Sequence, residues 1–203
     1  MTHARIAVVY HSGYGHTARQ AAAVADGARQ VAGAEVLLLG VEEAETRWDD
    51  LLAVDALIFG APTYMASASA AFKAFQEATS RLVMTKGFVW RDKIAAGFTN
   101  SGGLSGDKLS TLMQMALFAA QHGMHWINLG LPPGNNTSTG SMEELNRLGF
   151  FLGAAAQSNA DQGPEVAPPL SDLATARHLG RRVAEATLQF LRGRAVGAEC
   201  TRT

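Results

Sequence analysis

The chain has 203 residues, 47% apolar and 17% charged, so we expect one buried core in a single domain over residues 1–193, followed by a flexible C-terminal tail over residues 194–203. The 17 basic and 18 acidic residues leave a formal net charge of −1, which argues against nucleic acid or an anionic membrane surface as a partner. The lone Cys200 excludes an intrachain disulfide and argues against a metal site built from thiolates. No apolar run approaches the roughly 20 residues of a membrane span, so we expect a cytoplasmic protein with no bound metal.

Short apolar runs alternate with helical patterns along the chain. The strand candidates are residues 6–10, 36–39, 56–59, 94–98 and 126–129. The helix candidates are residues 17–31, 46–52, 69–82, 107–122 and 171–191. Runs that are almost wholly apolar are typical of strands buried on both faces of a parallel sheet. The alternation predicts an α/β fold, a flavodoxin-like doubly wound five-stranded parallel sheet in the order 2-1-3-4-5 with helices on both faces.

Residues 130–170 do not fit this alternation. They hold five of the six prolines and at most a short helix around residues 142–151. A long segment without regular structure inside a compact domain is usually functional, so we expect a lid or a subunit contact. The helix candidate 107–122 is apolar almost all round, and this segment or another subunit should cover part of it.

Three loops with unusual composition follow the first, third and fourth predicted strands. They read YHSGYGHT over residues 10–17, GAPTYMAS over residues 60–67 and TNSGGLSG over residues 99–106. Ligands of an open α/β sheet bind beyond the carboxyl ends of the strands, near the switch in strand order. We therefore expect the three loops to converge on one binding site.

The first loop has the composition of a phosphate site, because glycines and hydroxyls precede the N-terminus of a helix. A nucleoside triphosphate loop needs G-x-x-x-x-G-K-[ST], and no lysine precedes Lys73. A dinucleotide is compatible with Gly13-x-Gly15-x-x-Ala18, which matches G-x-G-x-x-A, and with the acidic pair that follows the second strand. The first loop alone leaves the dinucleotide open.

Hydroxyl residues in the first loop favour a third ligand, FMN. Ser12 and Thr17 are neutral donors that suit a compact terminal phosphate. In the other two loops Tyr64 offers a ring face, and Gly102 and Gly103 let backbone N–H groups approach the pyrimidine edge of a flavin, where negative charge collects on reduction. A dinucleotide site needs neither feature, so we favour FMN.

The chain contains the segments YHSGYGHTARQAAAVADGA, IFGAPTYMASASAAFKAF, AAQHGMHWINLG and LSDLATARHLGRRVAEATLQF. Together they resemble the flavodoxin-like NAD(P)H:quinone oxidoreductases of the tryptophan-repressor-binding-protein type, and the resemblance covers most of the chain. It implies hydride transfer, two electrons, from NAD(P)H to FMN and then to a quinone or a similar small acceptor. It also implies a homotetramer or a smaller homo-oligomer.

The resemblance implies FMN-binding residues in all three loops. The phosphate would be bound by Ser12, Gly13, Tyr14, Gly15, His16 and Thr17. The ring would be lined by Pro62, Thr63, Tyr64, Met65 and Ala66. The pyrimidine end and ribityl chain would be enclosed by Asn100, Ser101, Gly102, Gly103 and Ser105. Catalytic roles fall to His122, where the family has a histidine that reaches the flavin of a neighbouring subunit, and to Tyr14, which would shape the pocket for nicotinamide and quinone.

The sequence also departs from the family pattern. Only residues 41–55 join the second and third strands, where the family carries a longer insertion. Val83 and Met84 stand near the position of a flavin-covering aromatic residue, and Trp90 would have to take its place. Asp161 would support the pocket.

Alternative functions are a non-enzymatic flavodoxin-type electron carrier, an NAD(P)H-dependent FMN or azo reductase of the same fold, and an NAD(P) enzyme without flavin. A carrier tends to be strongly acidic in order to dock on basic partners, which the net charge of −1 does not support.

Overall fold

The computed structural model describes residues 2–200, except for the side chains of residues 83–84 and 198–200. Its strands are β1 (Ala4–Tyr10), β2 (Ala34–Gly40), β3 (Ala56–Tyr64), β4 (Ser67–Ala68), β5 (Ile94–Ser101), β6 (His125–Trp126) and β7 (Ala154–Gln157). Its helices are α1 (His16–Arg29), α2 (Val41–Ala44), α3 (Trp48–Ala53), α4 (Ala70–Ala78), α5 (Ser80–Met84), α6 (Lys108–Gln121) and α7 (Leu170–Cys200).

The central sheet has the order β2-β1-β3-β5-β6, and its neighbouring strands are parallel. Strand β7 also pairs in parallel with β5, and β4 forms an antiparallel hairpin with β3. Counted over the predicted strands alone, this is the expected order 2-1-3-4-5. The flavodoxin-like doubly wound α/β fold is therefore confirmed, and the short connection over residues 41–55 holds only α2 and α3.

Alternate residues of β1 face two separate helical layers, as the period of a strand requires. Ile6 and Val8 pack with α1 and α7, whereas Ala7 and Val9 pack with α4 and α6. Two glycines permit the close contact of α1 with α7. A Cβ on Gly27 or on Gly180 would lie 1.9 Å from a backbone oxygen of the other helix.

The outer edge of the sheet differs from the prediction. The fifth predicted strand, 126–129, is replaced by β6, which pairs with the start of β5, while β7 pairs with the end of β5. The sequence did not reveal β7, because AAAQ contains no β-branched or aromatic residue and lies in the segment expected to be irregular. Two short strands, β6 and β7, thus occupy the position beside β5 where one strand was predicted, and residues 127–153 connect them. Residues 142–151, where a short helix was expected, form turns and bends.

Helix α7 continues to Cys200, beyond its predicted end at Leu191. Residues 194–200, expected to belong to the tail, are therefore helical, and residues 201–203 lie outside the described part of the chain. None of the described helices combines the length and the apolarity that crossing a membrane requires.

Candidate functional site

A cleft of about 620 Å³ lies at the carboxyl ends of β1, β3 and β5, within the size range of small-molecule sites. The three predicted loops and a fourth segment that follows β7 enclose it. Its lining residues are Ser12, Tyr14, His16, Thr17, Pro62, Tyr64, Asn100, Ser101, Gly102, Ser158, Ala160, Asp161, Gln162 and Gly163. The loops that the sequence placed together do meet at one site.

The first loop turns sharply into α1 at Gly15, which has a φ of +86° and precedes the first helical residue. A Cβ on Gly15 would lie 2.8 Å from Pro164 Cγ, so the turn requires glycine both for its conformation and for this contact. The first-turn N–H groups of α1 have no partner within the helix and carry the positive end of its dipole. This end of the cleft is therefore suited to an anion.

The hydroxyl groups of this loop match the same ligand. Ser12 Oγ is buried and has no hydrogen-bond partner in the part of the chain that the structure describes. Thr17, also buried, lines the cleft one helical residue in from the turn. A buried hydroxyl without a partner is unfavourable, and a ligand oxygen would satisfy it. Neutral hydroxyl and amide donors at a helix N-terminus fit the phosphate of FMN.

Two tyrosines stand beside the phosphate loop. Tyr14 is 76% exposed and meets Tyr64 edge to face, with 6.3 Å between the ring centroids. Tyr64 reaches back over the loop, since its Oη lies 2.7 Å from the place of a Cβ on Gly13. Burial raises the pKa of Tyr64, and its hydrogen bond with the Gly13 backbone opposes that rise. The cleft thus offers aromatic surface next to the anion-binding end.

The second loop contributes fewer cleft residues than the resemblance implies. Pro62 and Tyr64 line the cleft, but the Thr63 hydroxyl is buried on the other side of the strand, 2.8 Å from the hydroxyls of Thr99 and Thr111. The turn between β3 and β4 is formed by Met65 and Ala66, with φ values of +47° and +65°. Both are exposed and lie outside the cleft wall.

The third loop is anchored to the strand that the sequence did not reveal. Asn100 Nδ2 donates to Ser158 Oγ at 3.0 Å, and the Ser158 amide donates to the Ser101 carbonyl at 3.1 Å. Gln157 Nε2 donates to the Gly102 carbonyl at 2.9 Å. Asn100, Ser101 and Gly102 line the cleft; the expected ligands Gly103 and Ser105 do not.

Residues 158–163 form a fourth wall, of which the sequence indicated only Asp161. His16 Nε2 lies 2.7 Å from the Gln162 carbonyl, and Arg19 Nη1 donates to the Pro164 carbonyl at 2.6 Å. These bonds join the start of α1 to the segment that follows β7. The wall was missed because its position depends on β7, which has no recognisable strand pattern.

A buried ion pair lies behind this wall. Arg147 binds both carboxylate oxygens of Asp172, at 2.7 and 2.8 Å, and both side chains are almost fully buried. Asp172 Oδ2 also accepts from the Gln157 amide at 2.8 Å. The pair therefore connects the 127–153 segment, α7 and the end of β7.

His122 does not line this cleft. Its ring is buried against Trp90 and Phe118, with Nε2 2.8 Å from Thr79 Oγ1 and Nδ1 without a partner among the described residues. Burial lowers the pKa of His122 to about 4, so the ring is neutral near pH 7. Trp90 is fully buried in the same cluster and does not cover the cleft. The expected Val83 and Met84 side chains lie outside the described residues.

His122 lines instead a groove of about 1150 Å³ between α4 and α6. On this side α6 exposes Leu109, Met113 and Leu117, each at least half exposed. The 127–153 segment contributes Phe150 to this groove and also packs on α7, through the bond from the Asn146 amide to Thr175 Oγ1. The sequence led us to expect that residues 130–170 or another subunit would cover part of α6; the segment reaches the groove but leaves Leu109, Met113 and Leu117 exposed.

Comparison with known proteins agrees with the FMN site that the cleft geometry indicates. The sequence profile of the family described as NADPH-dependent FMN reductase matches residues 41–132. Flavodoxin FldP of Pseudomonas aeruginosa is 45% identical, over 87% of this chain and 93% of its own. An NAD(P)H dehydrogenase (quinone) of Archaeoglobus fulgidus is 37% identical, over 90% of this chain and 96% of its own. The crystal structure of a flavodoxin, WrbA-like protein from Agrobacterium tumefaciens superposes with a TM-score of 0.71 and 38% identity, covering 92% of this chain and 99% of that one.

Proposed function

This chain belongs to the flavodoxin-like NAD(P)H:quinone oxidoreductase family and is an FMN-dependent oxidoreductase, and we propose that it passes a hydride from NAD(P)H through FMN to a quinone or a similar small acceptor. The cleft is the observation that supports this proposal most. It combines an anion site made of uncharged donors at the start of α1, tyrosine rings beside that site, and a glycine-rich loop along one side. FMN, when bound, supplies the hydride acceptor and donor. The chain supplies binding, orientation and electrostatics.

Each wall of the cleft has its own task in this proposal. Ser12, Thr17 and the first-turn amides of α1 bind the phosphate. Pro62 and Tyr64 lie against the ring system, and the third loop meets its polar edge. Asp161 is the one carboxylate among the cleft-lining residues, and no glutamate or lysine joins it, which suits a hydride transfer that needs few charged side chains.

Tyr14 is placed to act on the substrates. Its ring is largely exposed beside Tyr64, so one of its faces is free for a flat molecule. Nicotinamide and acceptor would occupy this space in turn. Tyr14 would thus shape the substrate pocket without taking part in proton transfer.

Assembly is part of the proposal. A homodimer or homotetramer would cover the exposed Leu109, Met113 and Leu117, since an apolar face of this kind is unfavourable in water. His122 lines the adjoining groove, so a catalytic contact from it would go to the flavin of a neighbouring subunit. We propose a cytoplasmic protein with small-molecule substrates and no nucleic-acid partner.

A flavodoxin-type electron carrier is the second candidate, because one relative at 45% identity is named a flavodoxin. The net charge of −1 argues against it, since a carrier of this type docks through strong charge complementarity. An FMN or azo reductase of the same fold differs from the main proposal only in its acceptor.

The deciding experiment follows NADH and NADPH oxidation by the FMN-loaded protein with benzoquinone, with free FMN, with an azo dye and with no acceptor. We expect fast oxidation that depends on the quinone. If dithionite reduces the bound flavin but neither NADH nor NADPH does, the protein is an electron carrier. Faster turnover with free FMN or with the azo dye than with benzoquinone would show that this compound, and not a quinone, is the preferred acceptor.

A further inference from the structure

Lys108, the first residue of α6, is a fully buried lysine next to the third loop. Its Nζ donates to the carbonyl oxygens of Gly103, Leu104 and Ser105, at 2.5, 3.0 and 3.5 Å. A lysine ammonium has three N–H donors, and these three carbonyls take all of them. No motif marks this residue in the sequence.

The contacts of Lys108 determine which way the loop amides face. The preceding carbonyl, of Gly102, accepts from Gln157 Nε2, so four consecutive carbonyls point towards side-chain donors of the protein. In a trans peptide the following N–H points the opposite way. The N–H groups of residues 103–106 therefore point away from Lys108 and Gln157. Among the described residues they donate to no protein acceptor.

These amides lie just beyond the cleft wall, because Ser101 and Gly102, the loop residues immediately before them, line the cleft. Ser105 and Lys108 themselves border the groove between α4 and α6. Successive free N–H groups of this kind attract negative charge. A positive charge buried behind them acts in the same direction, and it acts more strongly than an exposed charge because the surroundings have a low dielectric constant.

We propose that Lys108 is a positioning residue that makes the cleft bind reduced, negatively charged FMN more tightly than oxidised FMN. Its ammonium holds the loop with the amides directed outward and adds a buried positive charge behind them. This inference rests on the proposed function, since it requires FMN in the cleft.

Two charged side chains from other elements act on Lys108, and they oppose each other. Burial lowers the pKa of Lys108 to about 8, while Asp172 of α7 raises it and Arg147 of the 127–153 segment lowers it. Because the folded protein loses this proton near pH 8, the preference for reduced FMN is present below that pH and declines as the pH rises through it.

Lys93 provides a matched control at the opposite end of β5. Its Nζ also donates to backbone carbonyls, of Leu52 and Val54, and burial lowers its pKa as well. It is remote from the cleft, so Lys93→Met removes a similar lysine–carbonyl clamp without touching the loop. Any effect common to both lysine variants reflects stability alone.

The test compares wild type, Lys108→Met and Lys93→Met by the Kd of oxidised FMN, from flavin fluorescence, and by the midpoint potential of the bound flavin. We expect Lys108→Met to lose about tenfold more affinity for reduced than for oxidised FMN, since a hydrogen bond to a charged group is worth about that factor. For a two-electron couple this shifts the potential by about 30 mV to more negative values. Lys93→Met should leave the potential at its wild-type value.

An unchanged potential in Lys108→Met, or an equal shift in Lys93→Met, would overturn the proposal. If Lys108→Met does not fold, Lys108→Gln and the pH dependence of the wild-type potential replace it. In a plot of the wild-type midpoint potential against pH, the slope should become more negative as the pH rises through about 8. A plot without this change of slope would also overturn the proposal. Failure of the wild-type protein to bind FMN would instead refute the proposed function.

Discussion

The loop after β1 and the loop after β5 border the same cleft but are held in different ways. The first owes its form to neighbouring residues: Gly15 makes the turn, and α1 supplies the amides. The second is glycine-rich and is held from behind by Lys108 and Gln157, with the Arg147–Asp172 pair behind Gln157. The first loop is shaped by its own glycine turn and by the helix that follows it, whereas the second depends on buried or partly buried polar side chains. Lys108 is close in sequence to the carbonyls it binds, and Gln157 is distant from them.

The largest effect should come from breaking the ion pair behind the second loop. Arg147→Ala leaves Asp172 buried and unpaired, so we expect the free energy of unfolding to fall by about 3–5 kcal/mol in urea denaturation. The exposed pair Lys73–Glu77 is the control, and Lys73→Ala should change stability by less than about 1 kcal/mol. Similar losses in the two variants would mean that the buried pair does not support this side of the cleft.

The next effect concerns the turn in the first loop. Gly15→Ala places a Cβ in a left-handed conformation and 2.8 Å from Pro164 Cγ, and we expect a loss of about 1–2 kcal/mol together with weaker FMN binding. Gly193 lies in α7, and no atom of the described residues lies within 4 Å of its Cβ position, so Gly193→Ala should stabilise the protein by about 0.5–1 kcal/mol. Thermal unfolding and FMN titration of both variants measure the contrast. A neutral Gly15→Ala would show that the turn tolerates a side chain.

Local and long-range order also explain what the sequence could predict. The apolar runs of β1, β3 and β5 and the three loops that follow them are contiguous, so their fold and their convergence were predictable. The AAAQ strand was not, because its pairing with β5 is decided by residues far along the chain. Lys108 is near the carbonyls it binds, but the loop conformation that brings them to its Nζ has no recognisable sequence pattern. For His122 the motif was visible, but its burial against Trp90 follows from core packing.

The smallest effect is expected at the hairpin between β3 and β4. Ala66 has a φ of +65°, which L-residues other than glycine and asparagine adopt with strain. Ala66→Gly should therefore raise the free energy of unfolding by up to about 1 kcal/mol without changing FMN affinity, because Ala66 lies outside the cleft wall. Altered FMN binding would assign this turn to the site, and a destabilised variant would show that the backbone at Ala66 is not strained.

The central claim is that the cleft binds FMN with its phosphate at Ser12, and one titration tests it directly. Apo-protein of wild type and of Ser12→Ala is titrated with FMN, and the stability of both apo-proteins is measured alongside. We predict that wild type binds one FMN per chain and that Ser12→Ala binds it about tenfold more weakly, since a hydrogen bond to an anion is lost. The apo-protein should be no less stable after the substitution, because Ser12 Oγ is buried and has no hydrogen-bond partner among the described residues. Equal affinities, or no FMN binding by wild type, would contradict the account.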